Sequence, residues 1–426
     1  MPRTPAALPA DAVLVHIGPH KTGTTAIQMI LGQSRKLLEE HGVLYPGGRG
    51  KWHHHDEAKA LRGFTDGWSG DADARADESH WLAVVEAVRA HPGRVVISSE
   101  YFAQADQTSR LRLLNDLGED RVHVIFGTRN PVAIGLSTWQ QGMRMGYAGA
   151  LDEWLERTYR RDVGGSVNKF WSQADPAELA ATWSQEVAPE RVVALVIDEK
   201  DRLLLPATFE QLLDLPAGSL ASQKPRQSNR SLTAVEAELL RRVIATVRPH
   251  VSWAEFSRII RGGTTLRLLQ SRTPLPGEAK TVLPPWALEQ AALVAGHSIA
   301  RLEASDHVIA GRLESLADIP APAESPGSFS EVPIDLAVEM VAGAIGVATR
   351  GHWSFDEKRR PKRERGAPVV SAPAPAKPAE KRALPAARVK PLDEYRTGEL
   401  LRYSARRVRV SAATRAGRIV GRLSKR

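Results

Sequence analysis

The stretch Val13 to Thr25, VLVHIGPHKTGTT, constrains the fold more than any other part of the chain. An apolar run leads into a glycine turn and then into a helix start, the layout of a phosphate-binding loop. The spacing G-x-x-x-x-G holds from Gly18 to Gly23, but Thr24 follows where a nucleoside-triphosphate loop carries lysine. The lysine is instead Lys21, inside the loop.

The same alternation recurs along the chain. AIQMILGQSRKLLEEHG reads as one helix ending at Gly42, and ESHWLAVVEAVRAHPG as a helix stopped by Pro92 and Gly93. RVVISSE is a short buried strand ending at Glu100, RLRLLNDLG a helix and RVHVIFGTR a strand ending at Arg129. NPVAIGLSTWQQGMRMG follows as a helix with Pro131 in its first turn, and AELAATWSQEVAPERVVALVID repeats helix then strand. Strands alternating with helices predict right-handed crossovers and an α/β fold, a mostly parallel sheet flanked by helices. Ligands of such sheets bind at the carboxyl ends of the strands, so Glu100 and Arg129 are expected beside Lys21. Residues 47–77 read as a long polar loop with one short helix, and residues 232–316 as mainly helical, with SLTAVEAELLRRVIATV the clearest segment.

The net charge of +9 is unevenly placed. Residues 350–426 hold 22 Lys and Arg against 7 Asp and Glu, net +15; the first 349 residues hold 36 against 42, net −6. The basicity therefore belongs to a tail rather than to a nucleic-acid-binding body, and no specific nucleic-acid partner is expected. The predicted organisation is a disordered start over 1–10, a catalytic domain over 11–318, a connecting segment with a helix over 319–349, a Pro/Ala-rich basic linker over 350–391 and a basic tail over 392–426. That tail is a candidate amphipathic helix that would touch an anionic membrane surface or an acidic polymer. No cysteine is present, which removes disulfides, thiol nucleophiles and thiolate metal sites. The N-terminus lacks a secretory pattern, and no apolar run approaches the ~20 residues of a membrane span. The expected location is cytoplasmic, with peripheral membrane contact through the tail.

With Lys21, Arg129 and Ser137 in place, the chain resembles the PAPS-dependent sulfotransferases of bacterial type, which move a sulfuryl group from 3′-phosphoadenosine 5′-phosphosulfate to an acceptor. In that family the first loop reads K-[ST]-G-T-T, here Lys21, Thr22, Gly23, Thr24 and Thr25, and wraps the 5′-phosphosulfate. A strand ending in arginine, with serine eight residues later, grips the 3′-phosphate; the matching residues are Arg129 and Ser137. HIGPHKTGTTAIQ and GVLYPG also resemble bacterial members. KPRQSNRSL, Lys224 to Leu232, stands where the family keeps a basic loop over the nucleotide, although without the glycine form of the animal enzymes; Arg226 and Arg230 are its candidates for the 3′-phosphate. The resemblance covers about residues 11–316 and implies a P-loop-like sulfotransferase fold with no metal requirement.

A helix N-terminus offers its unpaired amides and dipole to a phosphate, to which Thr24 and Thr25 would add hydroxyls. Sulfuryl transfer, like phosphoryl transfer, depends on positioning and charge stabilisation, and Lys21 would meet the charge growing on the departing phosphate. The acceptor hydroxyl or amine must lose a proton. Glu100 matches a strand-end position where several family members place the base, while His20 and the run His53, His54 and His55 compete for the role. Consecutive histidines do not easily converge on one metal ion, and they read instead as part of the acceptor entrance or as loop residues. Trp52, Trp68, Trp154 and Trp171 are candidates to stack on an acceptor, expected to be a glycan, glycolipid or small metabolite, although aromatics at helical spacing are more often core. Two other readings remain open at the level of sequence: a P-loop kinase or NTPase with VVISSE supplying its acidic strand end, and a nucleotide-binding interaction protein without turnover.

Overall fold

A computed structural model of the chain describes residues 4–48, 50–63, 75–161, 168–198, 200–221, 230–323, 329 and 331–350. The chain divides into residues 1–355 and 356–426, and the second unit, with the linker and basic tail, lies outside the described residues.

Six parallel strands form one sheet: β1 (Val13–Gly18), β2 (Val43–Leu44), β3 (Arg94–Ser98), β4 (Val122–Thr128), β5 (Val192–Val196) and β6 (Val308–Ala310), in the order β2-β3-β1-β4-β5-β6. The predicted α/β fold with helices flanking a parallel sheet is what the chain adopts. β1 is central, pairing with β3 on one side and β4 on the other, with Val13 opposite both Val95 and Val122. The chain leaves β1 towards β2 and leaves β4 towards β5, so the connections diverge at β1/β4, where open α/β sheets hold ligands.

Side chains alternate between two buried faces, which is why the strands are apolar almost throughout. Val13, Val15 and Ile17 join Val95, Ile97, Val124 and Phe126 under the helices His55–Arg62, Ser79–Ala90, Gln107–Leu117 and Pro176–Trp183. Leu14, Val96, Ile125 and Val193 point the other way, against Thr24–Gln33 and Leu204–Leu213. A third, helical core joins Pro131–Arg144 to Ala234–Val247, Pro285–Glu303 and Ile334–Arg350. Ile334–Arg350 packs against Ser257–Thr265, Gly343 meeting Gly263 so closely that a Cβ on either would lie under 3.0 Å from the other's carbonyl oxygen.

Several expectations change in detail. The helix predicted through Gly42 is two, Thr24–Gln33 and Arg35–Glu40, broken at Ser34. β3 stops at Ser98, leaving Ser99 and Glu100 beyond it. Strands β2 and β6, two and three residues long, are too short to leave a periodic signal. The lead-in to β1 is tied down, since the buried Leu8 donates its amide to the Leu212 carbonyl at 3.0 Å and accepts from Arg94.

Candidate functional site

The loop between β1 and Thr24–Gln33 is shaped by two close approaches. Gly18, at φ +89°, lies so near Glu100 that a Cβ would sit 2.8 Å from Glu100 Cα, and a Cβ on Gly127 of β4 would sit 2.8 Å from the Thr22 carbonyl oxygen. Glycine at these two points lets the loop settle between the ends of β3 and β4. Within it Lys21 adopts φ 70°, a left-handed conformation that non-glycine residues seldom take and that concentrates at functional sites. Gly23, also left-handed, opens the helix without a side-chain cap, so no capping side chain occupies the amides at its start.

The threonines divide their roles differently from expectation. Thr22 and Thr24 are buried and both donate their hydroxyls to the Pro19 carbonyl, at 2.7 and 3.1 Å, so these hydroxyls brace the loop instead of pointing into its mouth. Thr25 is exposed.

Lys21 Nζ donates to Gln141 Oε1 at 2.9 Å, and Arg129 reaches the Lys21 carbonyl at 3.5 Å. Lys21 and Arg129 are therefore together, as expected. Ser137, Gln141 and Arg144 follow at i, i+4 and i+7 on the helix Pro131–Arg144, along one face. That helix starts cleanly, with Asn130 accepting from the Val132 amide and Pro131 in the first turn. Ser137 Oγ donates to the Ile134 carbonyl at 3.1 Å, which leaves its lone pairs but not its proton available. Burial, then the charges of Arg144 and Arg129, push Lys21 down to about 8 against the opposing pull of Glu100.

Glu100 lies in a polar cage of its own. Gln28 Nε2 donates to Glu100 Oε2 at 3.2 Å; His55 Nε2 lies 3.6 Å from Oε2 and His20 Nδ1 3.6 Å from Oε1. Burial favours the protonated acid, but His55, His20, its own backbone amide and Gln28 together hold the carboxyl below the usual range. Burial also pushes His55 down to about 4 and lowers His20, despite the neighbouring carboxylate. At neutral pH the group is thus an ionised Glu100 between two neutral imidazoles. His55 Nδ1 is fixed by Ser99 Oγ at 2.9 Å, Tyr101 packs edge-on against both rings, and His53 stacks on His55.

The three consecutive histidines separate by role. His54 is buried, its Nδ1 accepting from the Ser98 amide at 3.1 Å and its Nε2 bonded to the Pro46 carbonyl, so it ties the loop to the sheet and faces no acceptor. Only His55 reaches Glu100 among them. Among the described residues no group of three or more His, Asp or Glu is arranged to hold a metal ion.

Two further expectations are corrected. Arg230 makes a two-pronged ion pair with Glu236, at 2.6 and 2.7 Å, and donates to the Leu268 carbonyl, so it braces the start of Ala234–Val247 rather than the loop mouth. Arg226 lies outside the described residues, as does Trp68. Trp154 and Trp171 are core residues, 7% and 0% exposed, and cannot stack on an acceptor; Trp52 is half exposed against Gly32.

Sequence reasoning missed Gln28, Gln141 and Arg144. The 137/141/144 spacing on a predicted helix was the available signal for two of them; Gln28, four residues after Thr24, shared a helix face with the loop end.

No protein-family model matches the chain. A search of curated proteins finds no match either. Among solved structures, a sulfotransferase from Alicyclobacillus acidocaldarius matches with 16% sequence identity and a TM-score of 0.35, over 57% of this chain and 93% of that one. No helix among the described residues is long and apolar enough to cross a membrane.

Proposed function

We propose that the chain is a sulfotransferase that moves a sulfuryl group from 3′-phosphoadenosine 5′-phosphosulfate to a hydroxyl or amine of a glycan, glycolipid or small metabolite. The observation that carries this reading is Lys21: it lies inside the loop, is held from the helix behind by Gln141, and has Arg129 at its carbonyl. A triphosphate loop would instead place its lysine after Gly23, where this chain has Thr24 with its hydroxyl turned onto Pro19.

The residues present fit such a nucleotide. The uncapped turn at Gly23 and the amides after it suit the 5′-phosphosulfate, and Arg129 suits the 3′-phosphate, which Ser137 joins by turning its hydroxyl from the Ile134 carbonyl to the anion. The nucleotide supplies an activated sulfuryl group; the chain's own residues do the rest. Lys21, charged at neutral pH, stabilises the negative charge that grows on the bridging oxygen as the sulfur–oxygen bond to the phosphate breaks. Glu100, ionised and oriented by Gln28, takes the acceptor's proton as the new bond to sulfur forms. His55 and His20 flank the carboxylate's two oxygens, one each, at 3.6 Å.

Calorimetric titration of the full chain with 3′-phosphoadenosine 5′-phosphate, and separately with ATP and magnesium, tests the proposal. Metal-independent binding of the 3′-phosphorylated nucleotide, weakened roughly ten- to a hundredfold by Arg129→Ala, is the expected result for the loss of a charge-assisted hydrogen bond. A preference for magnesium ATP would overturn it in favour of a P-loop kinase.

A further inference from the structure

The helix Pro131–Arg144 carries a cation that the reaction above does not use. Arg144 follows Ser137 by seven residues on one face, about 10 Å further along the axis at ~1.5 Å per residue. Gln141, which holds the Lys21 ammonium, lies between them. The order along this face is therefore the serine assigned to the 3′-phosphate, then the lysine's tether, then Arg144, on the far side of Lys21 from Ser137.

Arg144 is half-buried, and its Nε is fully buried with no hydrogen-bond partner. No carboxylate among the described residues pairs with it, and the charge that acts on it is another cation, Arg261. Arg261 lies in Ser257–Thr265, a segment packed against the helix Pro131–Arg144 and wound as a π-helix, a rare form found mostly at functional sites. It too is half-buried and has no carboxylate partner among the described residues. Desolvating a guanidinium without a partner is costly, and placing a second beside it more so, unless an anion from outside compensates both. Arg248, nearby on Gly146, is already engaged by the Val251 carbonyl and the rings of Trp253 and Phe256.

We infer, on the footing of the sulfuryl-transfer reading above, that Arg144 and Arg261 form an anion subsite on the acceptor side of Lys21, and that the acceptor carries a carboxylate or similar anionic group next to the hydroxyl or amine that is sulfated. Arg144 anchors this group and Arg261 closes on it. The acceptor is thereby held by its charge while its neutral nucleophile faces Glu100. Neutral sugars with the same hydroxyls lack this anchor.

A matched pair of probes tests the assignment: 4-nitrophenyl glucuronide and 4-nitrophenyl glucoside, which differ in a carboxylate against a hydroxymethyl group. Each is titrated calorimetrically into the full chain saturated with 3′-phosphoadenosine 5′-phosphate, for wild type, Arg144→Gln and Arg261→Gln. The glucuronide is expected to bind wild type about ten- to a hundredfold more tightly than the glucoside, and each variant is expected to erase most of that preference. Nucleotide affinity, measured first on every protein, controls for folding. Equal binding of the two probes, binding of neither, or a preference unchanged in both variants overturns the subsite. Failure of the nucleotide itself to bind wild type overturns the sulfotransferase reading instead, so the two failures are distinguishable.

Discussion

Two regions of this chain treat buried arginine in opposite ways. In the helical part, Arg272 is 1% exposed and fully answered by carboxylates: Glu236 at 2.6 Å, Asp335 at 2.8 Å and Glu278 through two nitrogens. Arg161, 2% exposed, pairs with Asp175 at 2.7 Å, and Asp175 in turn caps the helix Pro176–Trp183 and accepts from Ser298. Around the loop at the end of β1, Lys21 is met by a neutral glutamine and Arg144 is acted on by another arginine, while the carboxylate of Glu100 is held by Gln28 and flanked by two histidines. Paired ions close a structure on itself. Cations left without carboxylates keep a place for an anion that the chain does not supply. On the proposed reading, similar chemistry serves folding in one region and ligand capture in the other, and the partner distinguishes them.

The largest effect expected from breaking this contrast is on the paired side. Arg272→Ala leaves Glu236 buried with Arg230 alone and strips Glu278, which should cost about 3–5 kcal/mol in a denaturant-unfolding measurement, the usual penalty for orphaning one partner of a buried pair. Any nucleotide binding by the folded fraction should keep its wild-type affinity. Lys21→Ala is expected to invert that result. Sulfuryl transfer should fall ~100- to 1,000-fold, as when one electrophilic stabiliser is removed, while the unfolding midpoint stays level or rises as crowding with Arg129 and Arg144 is relieved. A Lys21→Ala protein that unfolds as early as Arg272→Ala would show the loop lysine to be structural. Smaller again is Gln141→Leu, which removes the lysine's tether but not its charge; a drop of roughly tenfold in kcat with little change in nucleotide affinity is expected.

These residues also mark what the sequence can and cannot disclose. Lys21, Gly23 and Thr25 are legible because the strand, turn and helix that position them are contiguous, and Arg129 and Ser137 because one strand end and one helix carry both. Glu100 is legible as a strand-end carboxylate, although the strand stops two residues earlier. Its partners are not: Gln28 and His55 reach it across 72 and 45 positions of chain, and nothing local distinguishes His55 from His54 until the Ser98 amide captures the His54 ring. Arg230 is the opposite case. Its basic, polar neighbourhood suggests a phosphate ligand, yet Thr233 and Glu236 form a capping box whose glutamate draws the guanidinium inwards. The same residue type reads alike in both roles, because the deciding carboxylate is placed by tertiary packing.

The contrast sharpens through pH. A lysine at its ordinary value near 10.5 would stay charged throughout the accessible range, whereas Lys21, pushed down to about 8 by burial and by Arg144, loses its proton within it. Because the charged form is the active one, kcat/KM should be level from the range where Glu100 is fully ionised up to about pH 8 and fall about tenfold per pH unit above it. A bound anion favours the charged ammonium, so the alkaline limb of kcat should lie higher than that of kcat/KM. Arg144→Gln removes a repelling neighbour and should move the free-enzyme limb upwards as well, whereas Arg272→Ala, which touches only paired charges, should leave the limb unmoved in whatever protein folds. A limb that stays in place in Arg144→Gln would separate Arg144 from the loop and return it to the structural class of Arg272.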